Sequence, residues 1–167
     1  RIVISPNRKL FITIGDRGDG DRAQNPFDHA GSVLRINTDG SSPSSNPFFG
    51  SKNALPEIWS IGHRNPQGAI WNTVTESLWT LSHGAQGGDE INQPLAGKNY
   101  GWPIISYGRH YWGAKIGVGT HKSGLQQPIY YWDPSIAPSG FAIYSGDVFS
   151  KWKGNLFVGA LKHELIS

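Results

Sequence analysis

The chain has 167 residues, of which 37% are hydrophobic, 12% aromatic and 16% charged. That supplies one folded domain with a real core and excludes a disordered tail, because disorder goes with few aromatics and a strong net charge. The net charge of +3 comes from scattered basic residues, so the electrostatic footprint of a nucleic-acid binder is missing. Without Cys, disulfides, thiolate zinc sites and thiol nucleophiles are excluded together, and the redox compartment stays open. No apolar run approaches the roughly 20 residues needed to cross a bilayer, so no membrane span is expected. The chain starts at Arg1 without a Met and stops at Ser167 just after a strand-like run, which leads us to expect a piece of a longer protein.

Gly at 22 and Pro at 11 favour short strands joined by tight turns, and no three-turn segment carries apolar residues at helical spacing. Leu10 to Ile14 is the first expected strand. It runs into the acidic loop Gly15 to Asp21, which lacks the spacing of an EF-hand and reads as a solvated turn using Gly and Asp for their dihedral tolerance. Ser32 to Ile36 is a second strand, closed by an Asp39-Gly40 turn and followed by a Ser/Pro/Asn-rich loop to Asn53. Glu57 to Gly62 is a third. Ala69 to Trp71 and Leu78 to Leu81 form a hairpin with Trp71 and Trp79 as core or interlayer residues. Asp89 to Gln93 follows a Gly-rich loop, and Asn99 to Pro103 makes an aromatic corner. Pro128 to Trp132, Phe141 to Tyr144 and Asn155 to Leu161 complete the expected strands.

Three segments overlay on a Leu-aromatic opening: Lys9 to Gly15, Ser77 to Ser82 and Asn155 to Leu161. Lys9 and Ser77 are 68 residues apart, and Ser77 and Asn155 are 78 apart. Both spacings exceed the ~40 to 50 residues of a compact four-stranded propeller blade, an excess that long loops would absorb. An all-β sandwich, barrel or propeller is expected, and the repeat favours the propeller.

Several chemical motifs fail. Ser150 to Lys153 has S-x-x-K spacing but no K-T-G follows, and Gly117-Val118-Gly119 lacks the third Gly and the strand-turn-helix context of a dinucleotide site. The six His residues form no pair at metal-ligand spacing. More informative is the stretch Trp59 to Pro103, where His63-Arg64-Asn65 and His83 to Gln86 each follow an apolar run and belong at strand ends, where scaffolds present function. Glu90 follows Gly84, Gly87 and Gly88, whose carbonyls are hard oxygen donors suited to calcium; the alternative is an acid satisfied by loop amides.

The strings Thr13 to Gly18 (TIGDRG), Trp59 to Gly68 (WSIGHRNPQG), Gly88 to Asn92 (GDEIN), Asn99 to Pro103 (NYGWP) and Ser135 to Gly140 (SIAPSG) resemble, in order, those of the soluble quinoprotein sugar dehydrogenases, including aldose sugar dehydrogenases. The resemblance implies a six-bladed β-propeller of four-stranded antiparallel blades, of which residues 1–167 are about half. It implies binding of pyrroloquinoline quinone (PQQ) and calcium, oxidation of the C1 hydroxyl of aldose sugars to lactones with hydride passing to PQQ, an external electron acceptor, and a periplasmic or secreted location. Arg64 and Asn65 match the family's Arg-Asn pair at the quinone, and Lys162 a lysine contacting its carboxylates; forked and point cations suit a planar tricarboxylate. The carbonyls of Gly84 and Ala85 match ligands of the calcium beside PQQ, and Glu90 and Tyr100 a second, structural calcium site. Arg17 falls where relatives place a polar residue near the sugar. The general-base His of the family belongs to a motif before the equivalent of Arg1, so no catalytic residue is expected among these residues.

A different class of protein remains open: a non-enzymatic calcium-binding propeller module that binds carbohydrate or protein. The Arg64, Asn65 and Lys162 set separates the two, because an interaction module has no need of a cationic cluster at three strand ends. An unrelated all-β carbohydrate binder, stacking sugars on Trp, is a third option.

Overall fold

The computed structural model describes residues 1–167. The β-branched and aromatic runs form twelve strands: β1 (Ile2–Ile4), β2 (Lys9–Ile14), β3 (Ser32–Asn37), β4 (Ile58–Ile61), β5 (Pro66–Asn72), β6 (Ser77–Ser82), β7 (Asp89–Asn92), β8 (Lys98–Asn99), β9 (Tyr130–Trp132), β10 (Pro138–Ile143), β11 (Leu156–Ala160) and β12 (Leu165–Ile166). The rest is loop and three short 3-10 turns, at Gly20–Gln24, Ser150–Trp152 and Lys162–Glu164. No α-helix forms, and no helix is long and apolar enough to cross a membrane.

The strands pair in sequence order into three sheets. The first runs β1-β2-β3-β4 as an antiparallel meander, with β8 added parallel to β4. The second is the antiparallel meander β5-β6-β7-β9, and the third is β10-β11-β12. The Leu-aromatic repeat now has a structural meaning, because β2, β6 and β11 are each the second strand of their sheet. The loops between strands account for the long spacing, above all the Ser/Pro/Asn-rich one between β3 and β4 and the connection between β8 and β9.

The core lies between sheets. Phe11 and Val33 of the first sheet pack on Leu78 of the second, with Val3, Trp59 and Trp71 around them. Leu81 and Ile91 of the second pack on Val158 of the third, flanked by Trp79, Trp132 and Phe141. Burying each such side chain contributes about 1.5–3 kcal/mol, so these two clusters fix the order and spacing of the sheets. Trp71 and Trp79 are therefore interlayer residues, one in each cluster. The first strands lie side by side, β5 between β1 and β10. Gly68 permits this approach: a Cβ there would stand 2.9 Å from Cδ1 of Phe141 on β10.

Strand direction places the site. In a meander the second and fourth strands run the same way, so the C-terminal ends of β2, β4 and β6 emerge at one edge, and β11 repeats β2 and β6 in the third sheet. Their outgoing turns carry Asp16, Arg64, His83-Gly84-Ala85 and Lys162 in that order. Residues scattered over almost 150 positions of sequence are thereby brought to one edge of the array.

Candidate cofactor cleft and oxygen-lined cavity

Arg64 is the centre of this edge. Its guanidinium lies 5.3 Å from the ring centroid of Trp102, a cation–π arrangement. Nη1 donates to the carbonyl oxygens of His83, at 3.1 Å, and of Gly84. Trp102 is held in turn by its Nε1, which donates to Asp16 Oδ2 at 2.8 Å, so the acidic loop after β2 is tied to the aromatic corner and is more than a solvated turn. The next residue, Asn65, receives the His83 amide on its carbonyl at 3.0 Å, which locks the β4 and β6 turns together.

Arg64, Asn65, Gly84, Ala85 and Lys162 border a single cleft of about 540 Å³, together with Tyr111 and Asp133. Two cations and one acid line it, so it favours an anionic guest. A second cavity of about 460 Å³ adjoins it through Arg64, Ala85 and Tyr111 and is walled by Asp16, Asp19, Asp21, Trp102 and His110. Arg17 lines neither cavity. It is exposed on the loop with φ of 61°, while its neighbours Asp16 and Gly18 line the second cavity.

Glu90 and Tyr100 meet elsewhere, in a small cavity with about 20 Å³ of free space, room for one water-sized occupant. Ser82, Gly88, Asn92 and His63 are also in its wall, and Arg64, His83 and Gly84 line both it and the cleft. Asn92 Nδ2 donates to Glu90 Oε2 at 3.0 Å, while Asn92 Oδ1 is buried without a partner; so is Oγ1 of Thr80, the cross-strand partner of Asn92. Burial pushes the Glu90 carboxyl up to about 7, aided by the nearby Asp89 charge and opposed by the Asn92 hydrogen bond. The Tyr100 hydroxyl donates to the Gln93 carbonyl and accepts from the Leu95 amide at 3.0 Å, and burial raises it to about 12. The ring of buried His63 stacks on Tyr100 at 4.8 Å with Nε2 bonded to Ser60 Oγ at 2.8 Å; burial holds this imidazole neutral, down to about 3.

Both places can hold the groups in question. Orphaned buried oxygens cost free energy unless something fills the gap, and a carboxylate, an amide oxygen and backbone carbonyls are the donor types of calcium. Only one carboxylate takes part, and no group of three or more acids or His is placed so that it could hold a metal ion. The Gly84 loop is a tight cradle: a Cβ at Gly84 would stand 2.0 Å from the Gly87 carbonyl oxygen.

Other functional candidates escaped the sequence reading. Asp133 and Tyr111 line the cleft, and Asp89 is wholly buried behind it. The alternation of side chains along β7 sends Asp89 to one face and Glu90 to the other, so adjacent acids have separate surroundings. That adjacency was the available signal.

Residues 1–167 match the family model described as Glucose / Sorbosone dehydrogenase. The aldose sugar dehydrogenase YliI of Escherichia coli is 43% identical over 164 residues, covering 97% of this chain and 44% of that protein. The apo crystal structure of the soluble aldose sugar dehydrogenase from Escherichia coli superposes with a TM-score of 0.93 at 39% identity, covering 100% of this chain and 52% of that one. The PQQ-bound aldose sugar dehydrogenase of Streptomyces coelicolor superposes with a TM-score of 0.75 at 29% identity, over 99% of this chain and 42% of that one. The chain thus spans about half the length of the relatives it matches.

Proposed function

The chain belongs to the glucose/sorbosone dehydrogenase family, and on that premise we propose that it is the cofactor-holding part of a PQQ- and calcium-dependent aldose dehydrogenase. The three sheets are, in this proposal, half of a six-bladed β-propeller. Oxidation of the C1 hydroxyl of an aldose, transfer of electrons to an external acceptor, and a periplasmic or secreted location are proposed for the whole protein that carries these residues.

One observation carries the reading. Arg64 and Asn65 come from the turn after β4 and Lys162 from the turn after β11, yet they border the same cleft as Gly84 and Ala85 of the turn after β6. Its volume falls within the about 300–1,000 Å³ of small-molecule sites. Arg64 and Lys162 would face the carboxylates of PQQ, and the two carbonyls would ligate the adjacent calcium. When bound, the quinone supplies a hydride acceptor and the calcium a Lewis acid. What the chain's own residues do is bind, orient and exclude water. The adjoining cavity, with acids to accept sugar hydroxyls and Trp102 for a ring face, is the proposed aldose site; Arg17 lies on the same loop, between Asp16 and Gly18, which line it. Glu90, Tyr100 and Asn92 would hold the second, structural calcium.

The test is titration of PQQ, with calcium present, against tryptophan fluorescence, Trp102 being in contact with Arg64. A dye-reduction assay on glucose by the whole protein then follows. Saturable quenching and calcium-dependent dye reduction are expected. A folded protein that binds calcium but neither quenches nor oxidises any aldose would instead favour the non-enzymatic module.

A further inference from the structure

Asp89 opens β7 and is 0% exposed, yet no cation pairs with it. Its carboxylate is satisfied by four neutral donors on two separate loops. Oδ1 accepts from the Gly84 amide at 2.8 Å. Oδ2 accepts from Ser135 Oγ at 2.7 Å, the Ile136 amide at 2.8 Å and the Ala137 amide at 3.0 Å. The second loop goes on to hold the turn after β11: the Leu161 amide donates to the Ala137 carbonyl at 2.9 Å, and the Lys162 amide to the Ile136 carbonyl at 3.1 Å. Ala137 itself has φ of 50°, a left-handed conformation that costs a non-glycine residue free energy and persists only where its surroundings enforce it.

These bonds form one continuous path across the back of the cleft, from Gly84 through Asp89 and the 135–137 loop to Lys162. We infer that Asp89 is a positioning residue for the cofactor cleft, its single carboxylate setting the separation between the carbonyl-bearing Gly84–Ala85 wall and the wall that carries Lys162. The inference rests on the cofactor reading given above. Only an acceptor with lone pairs on both oxygens serves here. An Asn at this position would turn an N–H towards a donor on one of the two loops, releasing that wall while keeping the volume of the side chain.

The experiment compares the wild type with Asp89→Asn, Ser135→Ala and Leu78→Ala, the last a destabilising control in the other core cluster, which contains no residue of the cleft or of the 135–137 loop. Amide hydrogen exchange is followed without cofactor, and PQQ affinity by tryptophan quenching with calcium present. In Asp89→Asn the amides of Gly84 or of Ile136 and Ala137 are expected to lose protection, and the dissociation constant for PQQ to rise at least about tenfold, about 1.4 kcal/mol. Ser135→Ala, which removes one of the three donors to Oδ2, is expected to give a smaller rise. Leu78→Ala is expected to lower the melting temperature with affinity unchanged. Wild-type protection at all three amides in Asp89→Asn would overturn the clamp. Lost protection with unchanged PQQ affinity would overturn its positioning role, as would a Leu78→Ala variant that weakens PQQ equally at an equal loss of stability. If the wild type itself takes up no PQQ, the cofactor reading and the positioning role fall together, and hydrogen exchange still decides the clamp.

Discussion

Arg64 donates to the Gly84 carbonyl, so a guanidinium rests on one of the oxygens proposed to ligate calcium. The same side chain is thus a proposed partner of PQQ carboxylates and a competitor of the metal. Arg64→Ala is expected to act with opposite signs on the two ligands. Charge-assisted hydrogen bonds are worth about 1.5–3 kcal/mol, so PQQ affinity should fall roughly 10- to 100-fold. Calcium affinity measured calorimetrically without PQQ should rise, because a positive charge has left the carbonyls. Arg64→Lys keeps the charge but loses the fork and the stacking on Trp102, and should recover only part of the PQQ affinity. Unchanged PQQ binding in Arg64→Ala would remove this residue from the cofactor site.

Gly84 sits where backbone folds back on itself. A Cβ there would meet the Gly87 oxygen at 2.0 Å and the Gly88 oxygen at 2.5 Å, both main chain with little freedom to yield. Gly84→Ala is expected to cost about 2 kcal/mol or more, which at about 2–4 °C per kcal/mol is a fall of several degrees in melting temperature. Thermal melts followed by circular dichroism check this, and a melting temperature within a degree of wild type would show that the loop is softer than its contacts imply.

The strands that packing dictates were legible in the sequence, and those that pairing dictates were not. β2, β6 and β11 announce themselves by a Leu-aromatic opening because they sit second in their sheets and face inter-sheet clusters. β8 is two residues that become a strand only because β4 offers a free edge, and β12 likewise adds to β11. β1 is apolar enough, but at three residues it carries no period to read. At the site, Arg64, Asn65, Gly84, Ala85 and Lys162 could be named from motifs, whereas their common cleft follows from strand direction. Asp89 and Asp133 could be seen in the sequence but their parts could not, because three of the four donors to Asp89 are more than 40 residues away and Asp133 belongs to a cleft wall built from several loops.

Glu90 carries a further prediction. Its folded-state value near 7 lies above the unfolded one of 4.5, so its stabilising contribution is complete below pH 4.5 and is lost as pH rises through about 7. At pH 8, in the presence of a calcium chelator, Glu90→Gln is therefore expected to melt higher than wild type, by a free energy on the order of 2–3 kcal/mol at most. With millimolar calcium the order should reverse, because the ion stabilises only the chain that has the carboxylate. A wild-type melting temperature indifferent to calcium would remove the proposed structural ion from the Glu90, Asn92 and Tyr100 cavity.

His63 has the opposite pH signature. Burial against Tyr100 lowers its folded-state value to about 3 from 6.5. The unfolded chain therefore takes up a proton first as pH falls. The stability contributed by neutral His63 is fully present above 6.5 and is lost towards pH 3, at up to about 1.4 kcal/mol per pH unit. Without metal, Glu90 opposes this slope between pH 4.5 and 6.5, one group gaining what the other loses. In that window the two nearly cancel, and below 4.5 the His63 slope stands without the opposition of Glu90. Urea midpoints at pH 4, 5.5 and 7 for the wild type and His63→Gln test this. The variant loses the Ser60 hydrogen bond and should be less stable at pH 7, with the gap narrowing steadily towards pH 4 as the titrating group is removed. A gap that stays constant over that range would mean that His63 keeps its ordinary proton affinity in the fold.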